Sequence, residues 1–389
     1  MSQVTILQRI LPHYRVPFFD ALAQLLRRDG LTLKVLYGAE RPGTVPRSQC
    51  VERDWALPIA NRYWLGGRLV WQPWQASLGA GELVITEHAN SLTLTHRLLA
   101  QRLLRREPRL AFWGHGRNLQ RSAWLADRYK AWMARRADWW FVYTSAGADG
   151  LAAQGVPRAR ITVVNNSIDT SALAGARASI GAAECAALRA TLGLAGTNVG
   201  IFCGGMYAEK RLDFLVHACR LIRERLADFE LIAIGEGPEQ ATLERAAAQH
   251  PWIHYVGARF GAELAPYLSL ARVFLMPGLV GLAVIDSFAA GVPMVTTDIP
   301  IHSPEIAYLM HGENGLMSAD DPRAYAGVVC ELLESEPLRR RLLAGCARAA
   351  DTYSLAAMAA RYADGIAACL GQRTARPWLG RARDAEPRP

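Results

Sequence analysis

No stretch of this chain stays apolar for the roughly 18 residues that a membrane-spanning helix needs. The longest apolar run is broken at Pro277 and closed by Asp286. The opening residues, MSQVTILQRILPHYR, lack a basic segment followed by an apolar core, so no signal peptide is expected. Seven cysteines are scattered with no C-x-x-C pair and no histidine at metal-ligand spacing. That pattern points to reduced thiols in a cytoplasm and to no bound metal. The loop after the first apolar stretch, LPHYRVP, holds no glycine, so the dinucleotide fingerprint of a nicotinamide or flavin enzyme is missing. No Ser-His-Asp or Cys-His array stands in a recognisable frame. Zinc-finger, RRM and helix-turn-helix signatures are absent as well, which places nucleic acid last among partners.

What is present is a chain of 389 residues, 51% hydrophobic and 20% charged, long enough for two domains with a core each. The net charge of +9 is unevenly spread: residues 1–180 hold 24 Lys and Arg against 12 Asp and Glu, the remainder 20 against 23. A basic N-terminal half points to an anionic surface or substrate, phospholipid or a pyrophosphate-linked lipid ahead of nucleic acid. The excess is concentrated in Arg97–Arg109 and Arg117–Arg136, with leucine or tryptophan between the basic residues. A helix over Leu119–Arg136 with that mixture suits a membrane-lying surface. The plainer alternative packs its aromatic side on a sheet and leaves the arginines solvated.

The pattern of apolar runs predicts alternating strands and helices. Strands are expected at Val4–Ile10, Leu31–Tyr37, Leu83–Thr86, Leu110–Trp113, Trp140–Thr144 and Ile161–Val164, with helices over Phe18–Arg28 and Leu92–Arg106. This β-α-β opening is doubly wound in character. His13 and Arg15 fall in the first loop, at the carboxyl end of a strand, where open α/β sheets bind ligands; the bland reading is a solvated loop with Arg15 in an ion pair. A later strand delivers Gly114-His115-Gly116 to the same edge, and a histidine between residues without Cβ atoms can approach a ligand closely. Residues 172–195 are rich in Ala and Gly and carry no strand signal, so the division is placed there, with domains at 1–175 and 176–370. The second α/β unit starts at Val199–Cys203, continues through Phe229–Ile234 and Ile253–Gly257, and ends in helices at Val328–Leu333, Leu338–Ala349 and Leu355–Leu370. The tail from Gly371, full of Arg and Pro, is expected to be disordered.

The most informative stretch is Phe274–Thr297, FLMPGLVGLAVIDSFAAGVPMVTT. It reads as strand, Pro-Gly break, helix from about Leu282 to Ala290, Gly-Val-Pro stop, and strand, a right-handed crossover in a parallel sheet. Such a helix start offers free amides and a positive dipole end, which suit a phosphate. The residue order resembles the donor-binding segment of the retaining family-4 glycosyltransferases, in which Glu, Gly-Phe-Gly-Leu, three apolar residues and Glu-Ala-Met-Ala precede Gly-x-Pro-Val-Val. Gly281 and Leu282 match the inner Gly-Leu, Asp286 stands at the second Glu, and Ala289, Gly291 and Pro293 match the rest. Gly278 stands where the first Glu belongs. Elsewhere, Gly204-Gly205-Met206-Tyr207-Ala208-Glu209-Lys210 is similar to the family's Gly-Arg-Leu-x-Pro-Glu-Lys, with Gly205 in place of the Arg. Gly235-Glu236-Gly237-Pro238 is close to Gly-Asp-Gly-Pro, Ile253–Gly257 to Val-x-Phe-x-Gly, and Pro304-Glu305 to the end of Gly-Gly-x-Pro-Glu, whose glycines are Ile301 and His302 here. Asn165–Asp169 resembles the Pro-Asn-Gly-Val-Asp turn that closes the family's first domain.

The resemblance implies a GT-B arrangement, two doubly wound Rossmann-like α/β domains facing across a cleft, with the last helix crossing back to the first domain. It implies a retaining transferase that takes a nucleotide-diphosphate sugar as co-substrate, needs no cofactor, and passes the sugar to a glycan or lipid-linked acceptor held by the basic domain at an anionic membrane surface. The absence of any Asp-x-Asp motif disfavours the metal-dependent type. Carried over residue by residue, Lys210 and Gly204 would meet the diphosphate, Gly281 and Leu282 would offer amides, Asp286 would hold the ribose and Gly257 would border the base. Glu305 and, more weakly, His302 would also face the donor, and His115 its reacting end. The losses at Gly205 and Gly278 keep open a degenerate GT-B protein that binds without catalysis, and fold alone leaves room for a sugar-nucleotide epimerase.

Overall fold

The computed structural model describes residues 2–41, 51–73, 81–105, 107–116 and 124–371. The expected tail therefore lies outside the described residues, as do Arg106 and residues 117–123 of the two basic segments. Strands β1 (Ser2–Gln8), β2 (Leu31–Tyr37), β3 (Ala56–Pro58), β4 (Arg62–Trp64), β5 (Leu69–Trp71), β6 (Leu83–Glu87), β7 (Arg109–Gly114), β8 (Trp139–Val142) and β9 (Ile161–Val163) belong to the first half. Seven of them form a sheet in the order β3-β2-β1-β6-β7-β8-β9, with every neighbouring pair parallel, while β4 and β5 make a separate antiparallel hairpin. The second half contributes β10 (Asn198–Cys203), β11 (Phe229–Ile234), β12 (Ile253–Tyr255), β13 (Val273–Met276), β14 (Met294–Thr297) and β15 (Gly315–Ser318). These form a second parallel sheet in the order β12-β11-β10-β13-β14-β15.

Every residue of β11, β13 and β14 is buried, as strands covered by helices on both faces must be. Their mostly apolar sequences follow from that; Glu230 in β11 is bonded by His254 and the Gly196 amide, and Thr297 of β14 donates to the Pro277 carbonyl. Strand order reverses on either side of β1 in one sheet and of β10 in the other. Such a reversal opens a crevice at the carboxyl ends of the diverging strands. In the second sheet the crevice is bordered by the loop after β10, which carries Lys210, and by the loop after β13, which carries Gly281.

The division after residue 175 needs correction. Residues 172–195 form two helices, Ser171–Ser179 and Ala182–Leu192, the first of which spans that boundary. Leu173 and Leu194 are buried in the core of the second domain, so chain from the start of that helix belongs there. Conversely, the helix Leu355–Leu370 packs into the first domain: Met358, Tyr362 and Ile366 join its core. Tyr362 lies stacked on Phe141 at 4.2 Å between ring centres. The helix expected over Val328–Leu333 is also longer, running Pro322–Glu334 with Asp321 accepting from the Ala324 amide at its start.

Candidate active site

The loops that follow β10, β11 and β12 are joined backbone to backbone. The Gly204 amide donates to the Ile234 carbonyl (3.1 Å), Met206 to Glu236 (2.8 Å), and Gly235 to Gly257 (3.0 Å). Gly204 and Gly257 therefore stand on one rim at the carboxyl edge of the sheet, with bare peptide groups where side chains would otherwise project.

Lys210 closes the short 3-10 turn Ala208–Lys210 and is buried, only 4% exposed. Its ammonium donates to the Leu279 carbonyl, lies 3.6 Å from the Met276 sulfur, and sits 5.5 Å from the centre of the Tyr207 ring. Burial pulls its pKa down to about 8. Arg211, the next residue, has a left-handed backbone (φ 57°), and its guanidinium reaches the Thr297 hydroxyl at 3.5 Å. Its guanidinium pairs with Asp320 at 2.6 Å and lies 4.5 Å over the Phe214 ring. In the free protein the Arg211 charge is therefore engaged by Asp320 rather than placed beside Gly205.

At Gly278 a Cβ would stand 2.2 Å from the Glu209 carbonyl oxygen. The Leu279 amide donates to that same oxygen at 2.8 Å. The loop after β13 is thus pressed onto the Lys210 turn so closely that no side chain fits at 278. His302 holds the loop from the other side: its Nδ1 accepts from the Val280 amide (3.3 Å) and its Nε2–H donates to the Thr297 carbonyl (2.7 Å). Those bonds fix one neutral tautomer, and burial moves the ring's pKa down, in the same sense. His302 is accordingly a positioning residue for the loop.

The loop runs through Gly281 (φ 59°) into the helix Ala283–Ala290, capped at its start by Leu282 and ended by a left-handed Gly291. The first amides of such a helix have no carbonyl partner within it. Asp286 lies in its first turn. Burial alone pushes the Asp286 carboxyl up to about 7; no cation or hydrogen bond among the described residues offsets it. It is close enough to Cys203, the last residue of β10, to help hold that thiol up to about 12, after burial as the main cause. Cys203 was not singled out in the sequence, although its place immediately before Gly204 marks it as a strand-end residue.

Glu305 is buried in the turn Pro304–Tyr308, where it joins the two domains. Its Oε1 accepts from the Asn166 side-chain Nδ2 (2.6 Å), and the Asn166 side-chain Oδ1 accepts from Arg15 (2.6 Å). The Tyr308 hydroxyl donates to the backbone carbonyls of Tyr143 and Asn166, both at 3.2 Å. Arg15 is not in the solvated loop of the bland reading, and among the described residues no carboxylate pairs with it: it is buried, with its guanidinium 5.1 Å over Trp113. Asn166, which the sequence places only in a boundary turn, is one of the bridges between the domains.

His115 follows β7 and is exposed, its ring edge-on to Tyr143 at 4.8 Å. It therefore stands beside the junction where the carboxyl edges of the two sheets meet. Of its two glycine neighbours, Gly116 serves packing, since a Cβ there would lie 2.5 Å from the Gly147 carbonyl oxygen; one on Gly114 would meet nothing within 4 Å. His88, by contrast, is enclosed between Phe112 and Trp140, and burial takes its pKa down to about 4. If His115 faces the reacting end of a donor, His115→Ala should lower kcat by about tenfold or more with nucleotide affinity near wild type. A variant of full activity would leave His115 a surface residue.

Comparison with known proteins follows the same division. Residues 18–172 match the family model Glycosyltransferase Family 4, and residues 197–335 match Glycosyl transferases group 1. A phosphatidyl-myo-inositol mannosyltransferase of Mycobacterium leprae is 28% identical over 164 residues, covering 40% of this chain and 43% of that protein. The amylovoran biosynthesis glycosyltransferase AmsK of Erwinia amylovora is 27% identical over 141 residues, covering 33% and 34%. These matches thus span less than half the length of either relative. Among solved structures, Anabaena HepE in complex with UDP superposes with a TM-score of 0.67 at 15% identity, over 94% of this chain and 100% of that one. Sucrose-phosphate synthase from Thermosynechococcus elongatus gives 0.64 at 15% identity, over 95% and 100%. The chain is thus similar, half by half, to the models of family-4 and group-1 glycosyltransferases, and its two sheets take up the GT-B fold of those solved structures.

Proposed function

We propose that the chain transfers a sugar, with retention of configuration, from a nucleotide-diphosphate sugar to a hydroxyl of a lipid-linked glycan, in assembly of a bacterial-type cell-surface polysaccharide. The observation that carries this reading is the placement of Lys210, bonded to the Leu279 carbonyl, beside the loop that leads into the helix Ala283–Ala290 at the crevice of the second sheet. A buried cation and free helix amides are what a leaving diphosphate needs for neutralisation without a metal ion. Asp286 accepts from the ribose hydroxyls, Gly257 borders the base, and the acceptor hydroxyl attacks from the face the diphosphate leaves, beside His115. No enzyme nucleophile is required. Structures of HepE with UDP and with UDP-glucose support a nucleotide-sugar donor by analogy of fold.

The acceptor reading places the first domain on the cytoplasmic face of an anionic membrane. It is supported by the helix Trp124–Ala134, where Arg128 lies 4.7 Å over the exposed Trp124 and Arg136 lies 4.3 Å over Trp132. No helix among the described residues is long and apolar enough to cross a membrane; the attachment proposed is peripheral.

A second reading has one observation in its favour. The closed contact at Gly278 leaves no side chain to do what the first family Glu does, which suits a protein that binds nucleotide sugar without catalysis. Release of free nucleoside diphosphate from a panel of UDP-, GDP- and ADP-sugars, measured with and without bacterial membranes as acceptor source, separates the two. Release only with acceptor is the transferase result; binding with no release under any condition is the second.

A further inference from the structure

The hairpin of β4 and β5 is not used by the chemistry above. Its cross-strand pairs are Arg62 with Trp71, Tyr63 with Val70 and Trp64 with Leu69. One face turns inward: Val70 is fully buried, and the Tyr63 hydroxyl donates to the Ala39 carbonyl at 2.7 Å. The other face turns to solvent, with Trp64 59% and Trp71 39% exposed, and Leu65 at the tip 73% exposed. A two-stranded ribbon is marginal by itself, so placing these side chains outward needs a reason beyond local stability. Between Trp55 and Gly81 the sequence has four tryptophans and two arginines but no Asp or Glu. The Arg62 guanidinium lies 5.1 Å over the Trp71 ring, and Arg41 donates to the Gly66 carbonyl at the tip (2.7 Å).

The root of the hairpin is held at the carboxyl end of β1. Asn61 donates to the Arg9 carbonyl (2.7 Å) and the buried Gln72 to the Gln8 carbonyl (3.3 Å). Resting on the membrane-acceptor reading, we propose that the hairpin is a membrane wedge. Its Trp64–Leu65 tip enters the interface of an anionic bilayer, with Arg41, Arg62 and Arg68 at the level of the lipid phosphates. Tryptophan with arginine is the residue pairing that favours that depth. A stacked saccharide is disfavoured, because the hairpin itself, residues 62–71, has no Asp, Glu, Asn or Gln to bond sugar hydroxyls, and Arg62 already covers one face of Trp71. The rooting at β1 puts the bilayer at the ligand edge of the first sheet, where a lipid-linked acceptor would enter.

The test is sedimentation with phosphatidylglycerol-containing vesicles at low and high salt, for the full chain and for the double variant Trp64→Ser/Leu65→Ser. Apolar insertion persists when salt screens the charges, so wild type should keep a salt-resistant fraction. The double variant should lose about tenfold or more of that partition. Arg62→Gln/Arg68→Gln should instead lose binding at low salt and keep the salt-resistant part. Sedimentation of the double variant equal to wild type at both salts overturns the proposal, as does equal vesicle binding with lost turnover, which would place a glycan on the hairpin. Should the double variant misfold, Trp64→Phe replaces it: quenching of tryptophan emission by brominated lipid must fall relative to wild type, and unchanged quenching overturns the wedge. Vesicle binding needs no donor and no turnover, so a failed transferase assay leaves this result independent.

Discussion

Lys210→Ala is expected to lower kcat by about 100-fold or more while the protein still folds, because a charge-assisted contact to a leaving phosphate is worth a few kcal/mol. The structure makes this the sharper of the site's predictions. Gly205 supplies no charge, and Arg211 is committed to Asp320 at 2.6 Å. In the free protein the Lys210 ammonium meets the Leu279 carbonyl, the Met276 sulfur and the Tyr207 ring, and no carboxylate bonds it among the described residues. With its pKa lowered from 10.5 to about 8, the cation is lost as pH rises through 8. The kcat/KM profile should therefore fall on its alkaline side near that pH. The same shift has a stability consequence: the folded state binds fewer protons than the unfolded between 8 and 10.5, so the buried charge costs stability below pH 8 and the cost fades as pH rises. Removing the ammonium should accordingly leave Tm at neutral pH unchanged or higher, which separates loss of chemistry from loss of fold. A fall in kcat under about threefold would put the phosphate elsewhere.

Asp286→Asn should weaken nucleoside diphosphate binding by about 10- to 100-fold, the range for losing hydrogen bonds to a charged acceptor. It should also make the free protein more stable above neutral pH. The carboxyl's pKa is raised from 3.8 to about 7, so the folded state holds its proton longer than the unfolded chain does. Its stability is full below the unfolded value and is lost as pH rises toward 7. Asparagine keeps the shape and never ionises, so it escapes that loss. If ribose hydroxyls donate to the ionised form, binding pulls the pKa down and releases a proton near pH 7. Calorimetry in buffers of different ionisation enthalpy would then show that release in wild type and not in the variant. Equal nucleotide affinity in both proteins would leave Asp286 with no role in the ribose.

The parts of this site that were legible in the sequence are local. Apolar runs located the inner strands of both sheets to within a few residues, because parallel strands are buried on both faces; the edge strands Ala56–Pro58 and Gly315–Ser318, short and less apolar, were not read. The Pro-Gly break and Gly-Val-Pro stop located the helix that carries Asp286. What was not legible depends on residues far apart in the chain. Glu305 stands in a segment that matches a donor-binding motif, yet its carboxylate bonds Asn166, 139 positions away. Arg15 sits in a polar loop but is covered by Trp113 and by Met358 of the last helix. The helices at 171–192 were missed because alanine-rich sequence gives little periodicity; few large residues, such as Leu173, anchor them. The glycine at 278 looked like a lost carboxylate, and only the 2.2 Å approach of the Glu209 oxygen shows that the backbone itself excludes a side chain.

The central claim is that a nucleoside diphosphate binds between the Lys210 turn and the start of the helix Ala283–Ala290. The direct measurement is thermal unfolding of wild type and Lys210→Ala with UDP, GDP and ADP, since a ligand that binds only the folded state raises Tm. One of the three should raise the wild-type Tm in a concentration-dependent way and leave the variant nearly unmoved. A shift of the same size in both proteins, or none in wild type with any of the three, would contradict it.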